Sequence, residues 1–256
     1  MSPPTVEPEA SEVPIGTVRR RRIDAVRRRM EELAIDVLLL SHGADLPWLT
    51  GYRAMPLERL TMLVLSLVGD PVLLVPQLEA PKVPDDPSLF RLHPWGETDD
   101  PLDLVAGLVG NTDQAMGLSD RAWAVTLLGL QRRLPSARFL SASAVTGPLR
   151  AVKDAAEVRA LRSAASAADR VAEALQRGDI ALVGRTERAV SEEISTRLLA
   201  EGHHRVNFAI VGSGPNAASP HHDASERRIE PGELVVCDFG GELALADDGV
   251  GYCSDI

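Results

Sequence analysis

The residues best equipped for chemistry lie from Gly212 onward. Leu234-Val235-Val236-Cys237 is continuously apolar, the pattern of a buried strand, and it delivers Asp238. A buried ionised carboxylate costs on the order of several kcal/mol unless a cation or hydrogen-bond donors compensate it. Asp238 has no basic neighbour in sequence, so compensation comes from elsewhere in the fold or from a metal. Asp255 closes the next strand candidate, 250–255, and Ala246-Asp247-Asp248-Gly249 supplies a turn between the two. With 244–249 as the loop, antiparallel pairing sets position 238 directly opposite 255, on one sheet face, with Cβ atoms about 4.5–5.5 Å apart. Two carboxylates that close repel unless a cation sits between them, which is the geometry of half a dinuclear metal site. A tighter turn on Asp248-Gly249 breaks that register, and the spacing alone also describes ordinary turn and strand-end carboxylates.

His221 and His222 follow Pro220, ahead of this strand. A histidine there could move protons or hold a substrate carbonyl, and a surface pair after a proline is the alternative. His203 and His204, past a helix end, read as structural. Strand alternation points Cys237 away from Asp238 and into the core. Cys253 shares the face of Asp255 and reads as a plain buried thiol.

The elements that must position these residues come in a regular order. Thr17 caps a helix running to Leu33, with Ile23, Val26, Met30 and Leu33 as its apolar stripe. Arg20–Arg22 and Arg27–Arg29 lie largely off that stripe and read as a solvated face. Strand candidates follow at 37–40, 60–68, 72–75, 90–92, 116–118 and 138–140, with helices at 101–108 and 121–133. Strands alternating with helices predict an α/β domain over 18–148. Asp154 opens a long helix, with Glu157 as its capping-box partner and Val158, Leu161, Ala165, Ala168, Val171 and Leu175 as its stripe. A second helix runs from Thr186 to Gly202, followed by strands at 206–211, 234–238 and 250–255 around a loop at 212–220.

Composition bounds the function. Apolar residues make up 45% and charged residues 25% of the 256, which excludes a disordered chain, collagen and a disulfide scaffold. Two cysteines point to a reducing, cytoplasmic compartment. No apolar run approaches the roughly 20 residues of a membrane helix. The formal charge of −10 argues against a nucleic-acid partner. Residues 154–256 hold 18 of the 37 acids and 10 of the 27 bases, net −8 against −2 for 1–153, which fits a domain boundary near 153. Residues 1–17 read as a disordered tail.

Three blocks in order resemble the pita-bread metallopeptidases of the creatinase/prolidase type, closest to bacterial Xaa-Pro dipeptidases and aminopeptidases. They are Gly212-Ser213-Gly214-Pro215-Asn216 through Pro220-His221-His222, Ile229-Glu230-Pro231-Gly232-Glu233 through Asp238-Phe239-Gly240, and Gly251-Tyr252-Cys253-Ser254-Asp255-Ile256. Trp48-Leu49-Thr50-Gly51-Tyr52 and Lys153-Asp154-Ala155-Ala156-Glu157 resemble stretches of the family's N-terminal domain and linker helix. The resemblance implies a creatinase-type N-terminal α/β domain at 18–148, followed at 154–256 by the first half of a pita-bread catalytic domain. It implies metal ligation by Asp238, bridging of two metals by Asp255, and a substrate-positioning role for His221. It also implies two divalent ions, manganese, cobalt or zinc, sharing a hydroxide that attacks the peptide carbonyl. Oxygen-rich ligation favours manganese over zinc. The implied substrate carries proline in second position, and the implied assembly is a homodimer. One histidine and two glutamates of the family's ligand set have no matching segment here, and 243–249 looks like an insertion. The expectation is therefore a truncated peptidase, inactive alone. A non-catalytic binding module and a creatinase-like amidinohydrolase are the alternatives.

Overall fold

In the computed structural model, residues 13–84, 86–110, 113–244 and 250–256 are described. The chain divides into two compact units, Met1–Val152 and Lys153–Ile256.

The first unit is a six-stranded mixed sheet with helices on both faces. Its strands are β1 (Val37–Leu40), β2 (Met62–Ser66), β3 (Val72–Pro76), β4 (Arg91–Trp95), β5 (Ala115–Leu118) and β6 (Arg138–Ser141), in the order β4-β3-β2-β1-β5-β6. β1 runs antiparallel to β2 and parallel to β5, and β5 runs parallel to β6. The central strands are apolar at successive positions because both faces are covered. Leu38, Leu40, Leu63 and Leu65 enter one core, and Val37, Leu39, Met62 and Val64 enter the other. Helices α1 (Ile15–Glu32), α2 (Asp45–Thr50) and α5 (Ser143–Ala151) cover the first face. Helices α3 (Pro101–Val109) and α4 (Ala124–Arg133) cover the second.

Several sequence expectations need correction here. Helix α1 starts at Ile15, inside the segment read as a tail, and residues 1–12 lie outside the described set. Its N-cap is Pro14 rather than Thr17, and the Pro14 carbonyl accepts from the Thr17 N–H at 2.9 Å. The arginines of α1 are not all a solvated face. Arg22 is buried, donates to the Trp48 carbonyl at 3.0 Å and lies 5.1 Å over the Trp48 ring. Arg27 donates to the carbonyls of Ser66 and Gly69, fastening α1 to the β2–β3 turn.

The second unit packs helices α6 (Ala155–Gln176) and α7 (Glu187–Ala200) on a three-stranded sheet in the order β7-β8-β9. Its strands are β7 (Arg205–Ser213), β8 (Val235–Ala244) and β9 (Gly251–Cys253). Asp154 and Glu157 form the expected capping box at the start of α6. Glu157 also accepts from the Tyr252 hydroxyl at 3.1 Å, tying the helix start to β9. The buried stripe of α6 keeps only Ala168 and Val171 of the expected one. Ala160, Ala164, Ala167, Ala168, Val171 and Ala174 face the sheet, while Val158, Leu161 and Leu175 are half-buried. Small side chains let the helix lie close on the strands, and the larger ones cover the flanks. His203 is buried, and both ring nitrogens are engaged. Its Nδ1 donates to the Leu198 carbonyl at 3.1 Å, which leaves Nε2 to receive the Ser254 hydroxyl at 2.8 Å.

Candidate metal and substrate site

Strand β8 does not stop at Asp238. It continues to Ala244, so Asp238 lies inside the strand, paired with Ile210 of β7. Phe239, next in sequence, is fully buried among α6 and α7. By alternation Asp238 and Gly240 therefore take the opposite face, the one no helix covers.

The β8–β9 register differs from the expected one by two residues. Glu242 pairs with Cys253 and Ala244 with Gly251, and Phe239 exchanges both backbone hydrogen bonds with Ile256 at 2.9 and 3.1 Å. Asp255 thus stands opposite Gly240, and Asp238 is its diagonal neighbour on the same face, not its direct partner. Diagonal Cβ atoms lie somewhat under 7–8 Å apart, a span a cation or water can bridge between two carboxylates. The turn assumed from sequence began one residue early, at 244, and 245–249 lie outside the described residues. Gly240 is the residue this face requires, because a Cβ there would run into the Ser254 carbonyl and the Phe208 ring.

Two carboxylates supply hard oxygen donors, which fit a divalent ion such as manganese in part. Among the described residues no three His, Cys, Asp or Glu side chains converge into a metal nest. His221 is exposed and makes no hydrogen bond or ion pair among the described residues, with Asp238 and Asp255 or otherwise.

The polar centre of this unit is a residue the sequence did not flag. Glu187, first residue of α7 behind the Thr186 cap, has 0% of its surface exposed. Its Oε1 accepts from the Ser213 N–H and hydroxyl, both at 2.8 Å, and from Asn216 Nδ2 at 3.0 Å. Its Oε2 accepts from His222 Nε2 at 2.8 Å and from the Ser225 N–H and hydroxyl at 3.1 and 2.6 Å. Burial alone would raise its pKa, but the donors from Ser225, His222, Ser213 and Asn216 outweigh it and hold the carboxyl well below the usual range. One carboxylate thereby fixes the end of β7, the 3₁₀ turn Gly214–Ala218 that replaces the expected loop, and the segment around the histidines. Gly214 takes φ +51°, and a Cβ there would strike the Arg227–Glu233 ion pair beneath the turn. Nothing in a Thr-Glu pair opening a helix announces this role, because its partners lie 26 to 38 residues away.

The thiols separate as the face assignment requires, with one correction. Cys237 packs against the helix-covered core, and burial pushes its pKa up to about 11. Cys253 is exposed rather than buried, standing on the edge strand β9 on the side of the sheet away from α6 and α7. At neutral pH, iodoacetamide should label Cys253 at least about tenfold faster than Cys237, since the thiolate is the reactive form. Peptide mapping showing equal rates would mean that Cys237 is not packed as described.

Two family models divide the chain as its two units do. Residues 22–152 match the creatinase/prolidase N-terminal domain and residues 159–256 match metallopeptidase family M24. The chain belongs to the creatinase/prolidase metallopeptidase family. A probable dipeptidase PepE of Mycobacterium tuberculosis is 36% identical over 241 residues, covering 93% of this chain and 62% of its own length. The crystal structure of dipeptidase PepE from Mycobacterium ulcerans matches with a TM-score of 0.84 at 37% identity, over 94% of this chain and 63% of that one. A recombinant prolidase from Thermococcus sibiricus matches at 0.80 and 27% identity, over 93% and 64%. The chain thus spans less than two thirds of the length of these relatives. Its fold is the creatinase-type N-terminal α/β domain followed by part of the M24 pita-bread domain. The family is one of metal-dependent peptidases. Among the described residues no helix is long and apolar enough to cross a membrane.

Proposed function

We propose that the chain carries two of the metal-binding carboxylates, Asp238 and Asp255, and the substrate-positioning histidine, His221, of an Xaa-Pro peptidase. The observation that carries the reading is that Asp238 in β8 and Asp255, two residues past β9 where backbone pairing with β8 continues, share the face away from α6 and α7, in a chain of the metallopeptidase family. Asp238 is half-buried and makes no ion pair with Lys, Arg or His among the described residues, which supports a carboxylate open to a cation. When bound, a divalent pair supplies Lewis acidity and an activated water for attack on the peptide carbonyl. Hard oxygen ligation makes manganese the favoured ion. The protein's own part is to hold the two carboxylates at fixed register and to keep His221 clear of other partners. The prolidase likeness supports a substrate with proline in second position. A homodimer is supported by the exposed apolar side chains Met55, Leu57, Trp123, Val125 and Leu128 of the first unit. The two reduced cysteines support a cytoplasmic setting.

Metal titration tests the assignment. The 256-residue chain should bind manganese weakly, with Kd about 10⁻⁴ M or weaker, because most of the coordination shell stays water. Asp238→Asn and Asp255→Asn should each remove the calorimetric signal. Unchanged binding in both variants would place the metal elsewhere.

A further inference from the structure

Two histidines stand side by side after Pro220, and one carboxylate touches only the second. We infer that Glu187 divides their labour: it is the positioning residue that commits His222 and leaves His221 available to a ligand. The inference rests on reading His221 as the substrate-facing group.

The argument begins with which oxygens are used. The Ser213 N–H donates to Oε1 of Glu187 and the Ser225 N–H donates to Oε2. A backbone N–H can only donate, so both oxygens accept, and with the Ser213 and Asn216 donors crowding Oε1, the Ser225 donors crowding Oε2 and the pKa held well below the usual range, the group is an ionised carboxylate. His222 Nε2, 2.8 Å from Oε2, therefore carries a proton and points inward. With the hydroxyls of Ser213 and Ser225 and the amide of Asn216 also donating, residues 213–225 are anchored at both ends and near the middle. The backbone carrying His221 is set by these anchors, while its ring stays exposed and makes no hydrogen bond or ion pair among the described residues. A glutamine at 187 is isosteric but cannot serve. Whichever way its amide lies, the NH₂ meets the backbone N–H of Ser213 or of Ser225.

The test uses the 256-residue chain without metal. Carbethoxylation by diethyl pyrocarbonate, read by mass spectrometry, compares the two imidazoles, and ¹⁵N spectra report the tautomer of His222. In the unaltered chain His221 should react at least about tenfold faster than His222, as expected when one ring is held by a charge-assisted hydrogen bond. The ¹⁵N shifts should show a proton on His222 Nε2. Glu187→Gln should bring the two rates within about threefold and blur the tautomer assignment. Val190→Ala, a core truncation on the same helix that leaves the carboxylate in place, should keep the ratio of the unaltered chain. Equal reactivity in the unaltered chain overturns the inference without any variant, even if Glu187→Gln does not fold. So does a Val190→Ala chain that loses the ratio as fully as Glu187→Gln, since that would reduce Glu187 to general stability. Neither readout uses metal or turnover. A failure of manganese to bind at Asp238 and Asp255 would thus leave this result standing, and the converse holds as well.

Discussion

Glu187→Ala should destabilise the second unit by about 3–5 kcal/mol in urea unfolding, the range for removing one side of a buried charged network. The number follows from what would be left behind. Two backbone N–H groups, two hydroxyls, an amide and an imidazole all donate to this one side chain. Each buried donor without a partner costs roughly 1–3 kcal/mol, less where a hydroxyl rotates or water enters the space. A loss that size is a large share of the roughly 5–15 kcal/mol a folded protein has in total. The effect also carries a pH signature. The folded pKa of Glu187 lies below its unfolded value of 4.5, so its contribution is fully present above that value. It is lost as pH falls from there through the folded pKa. The stability difference between the two chains should therefore be constant from pH 5 to 7, above that window, and shrink below about 4.5. A gap that instead widens on acidification would show that the carboxyl is buried in its neutral form.

The second large effect concerns turnover. The 256-residue chain should show no measurable hydrolysis of a proline dipeptide, with or without added manganese. On the proposed assignment, Asp238 and Asp255 would hold one hard ion loosely, and no cluster of three or more His, Cys, Asp or Glu is found among the described residues to fix a second. A loosely held ion neither orients a water nor acidifies it enough for attack. In a longer chain that supplies the expected histidine and two glutamates, Asp255→Asn should abolish turnover while leaving the first unit folded. Hydrolysis by residues 1–256, lost with a chelator and restored by manganese, would refute the ligand count.

How far the sequence was legible depended on the range of the interaction. Signals of one to four residues were readable: the continuous apolar runs of β1 to β3, the Thr186 cap, and the capping box of Asp154 and Glu157. Where helix formation needed tertiary support, they were not. Helix α5 carries Pro148 in its interior, and α2 is only six residues long, so neither declares itself by periodicity. The stripe of α6 was misplaced because large apolar residues outweigh alanine in any hydrophobic pattern, whereas a close helix–sheet contact selects for small ones. The register of Asp238 and Asp255 turned on where a single turn begins, which local composition fixes only to within a residue or two. Their shared face was nonetheless retained, since the register is off by an even number of residues and side chains alternate with period two. Glu187 was invisible because its six donors are assembled by the fold.

The bond between Glu157 and Tyr252 bears on how this protein is made. It spans 95 residues, joining the opening turn of α6 to β9. A ribosome releases the chain amino-terminal end first, so α6 and α7 emerge long before the strand that completes their sheet. Contacts this distant in sequence close slowly, because a large loop must first be gathered. Until the strands of the sheet are out, the alanine face of α6 lacks its full cover and is a natural site for chaperone capture. The first unit pairs its strands mainly with sequence neighbours, the β1–β5 pair excepted, and lies wholly ahead of the second, so it can fold while the second is still being translated.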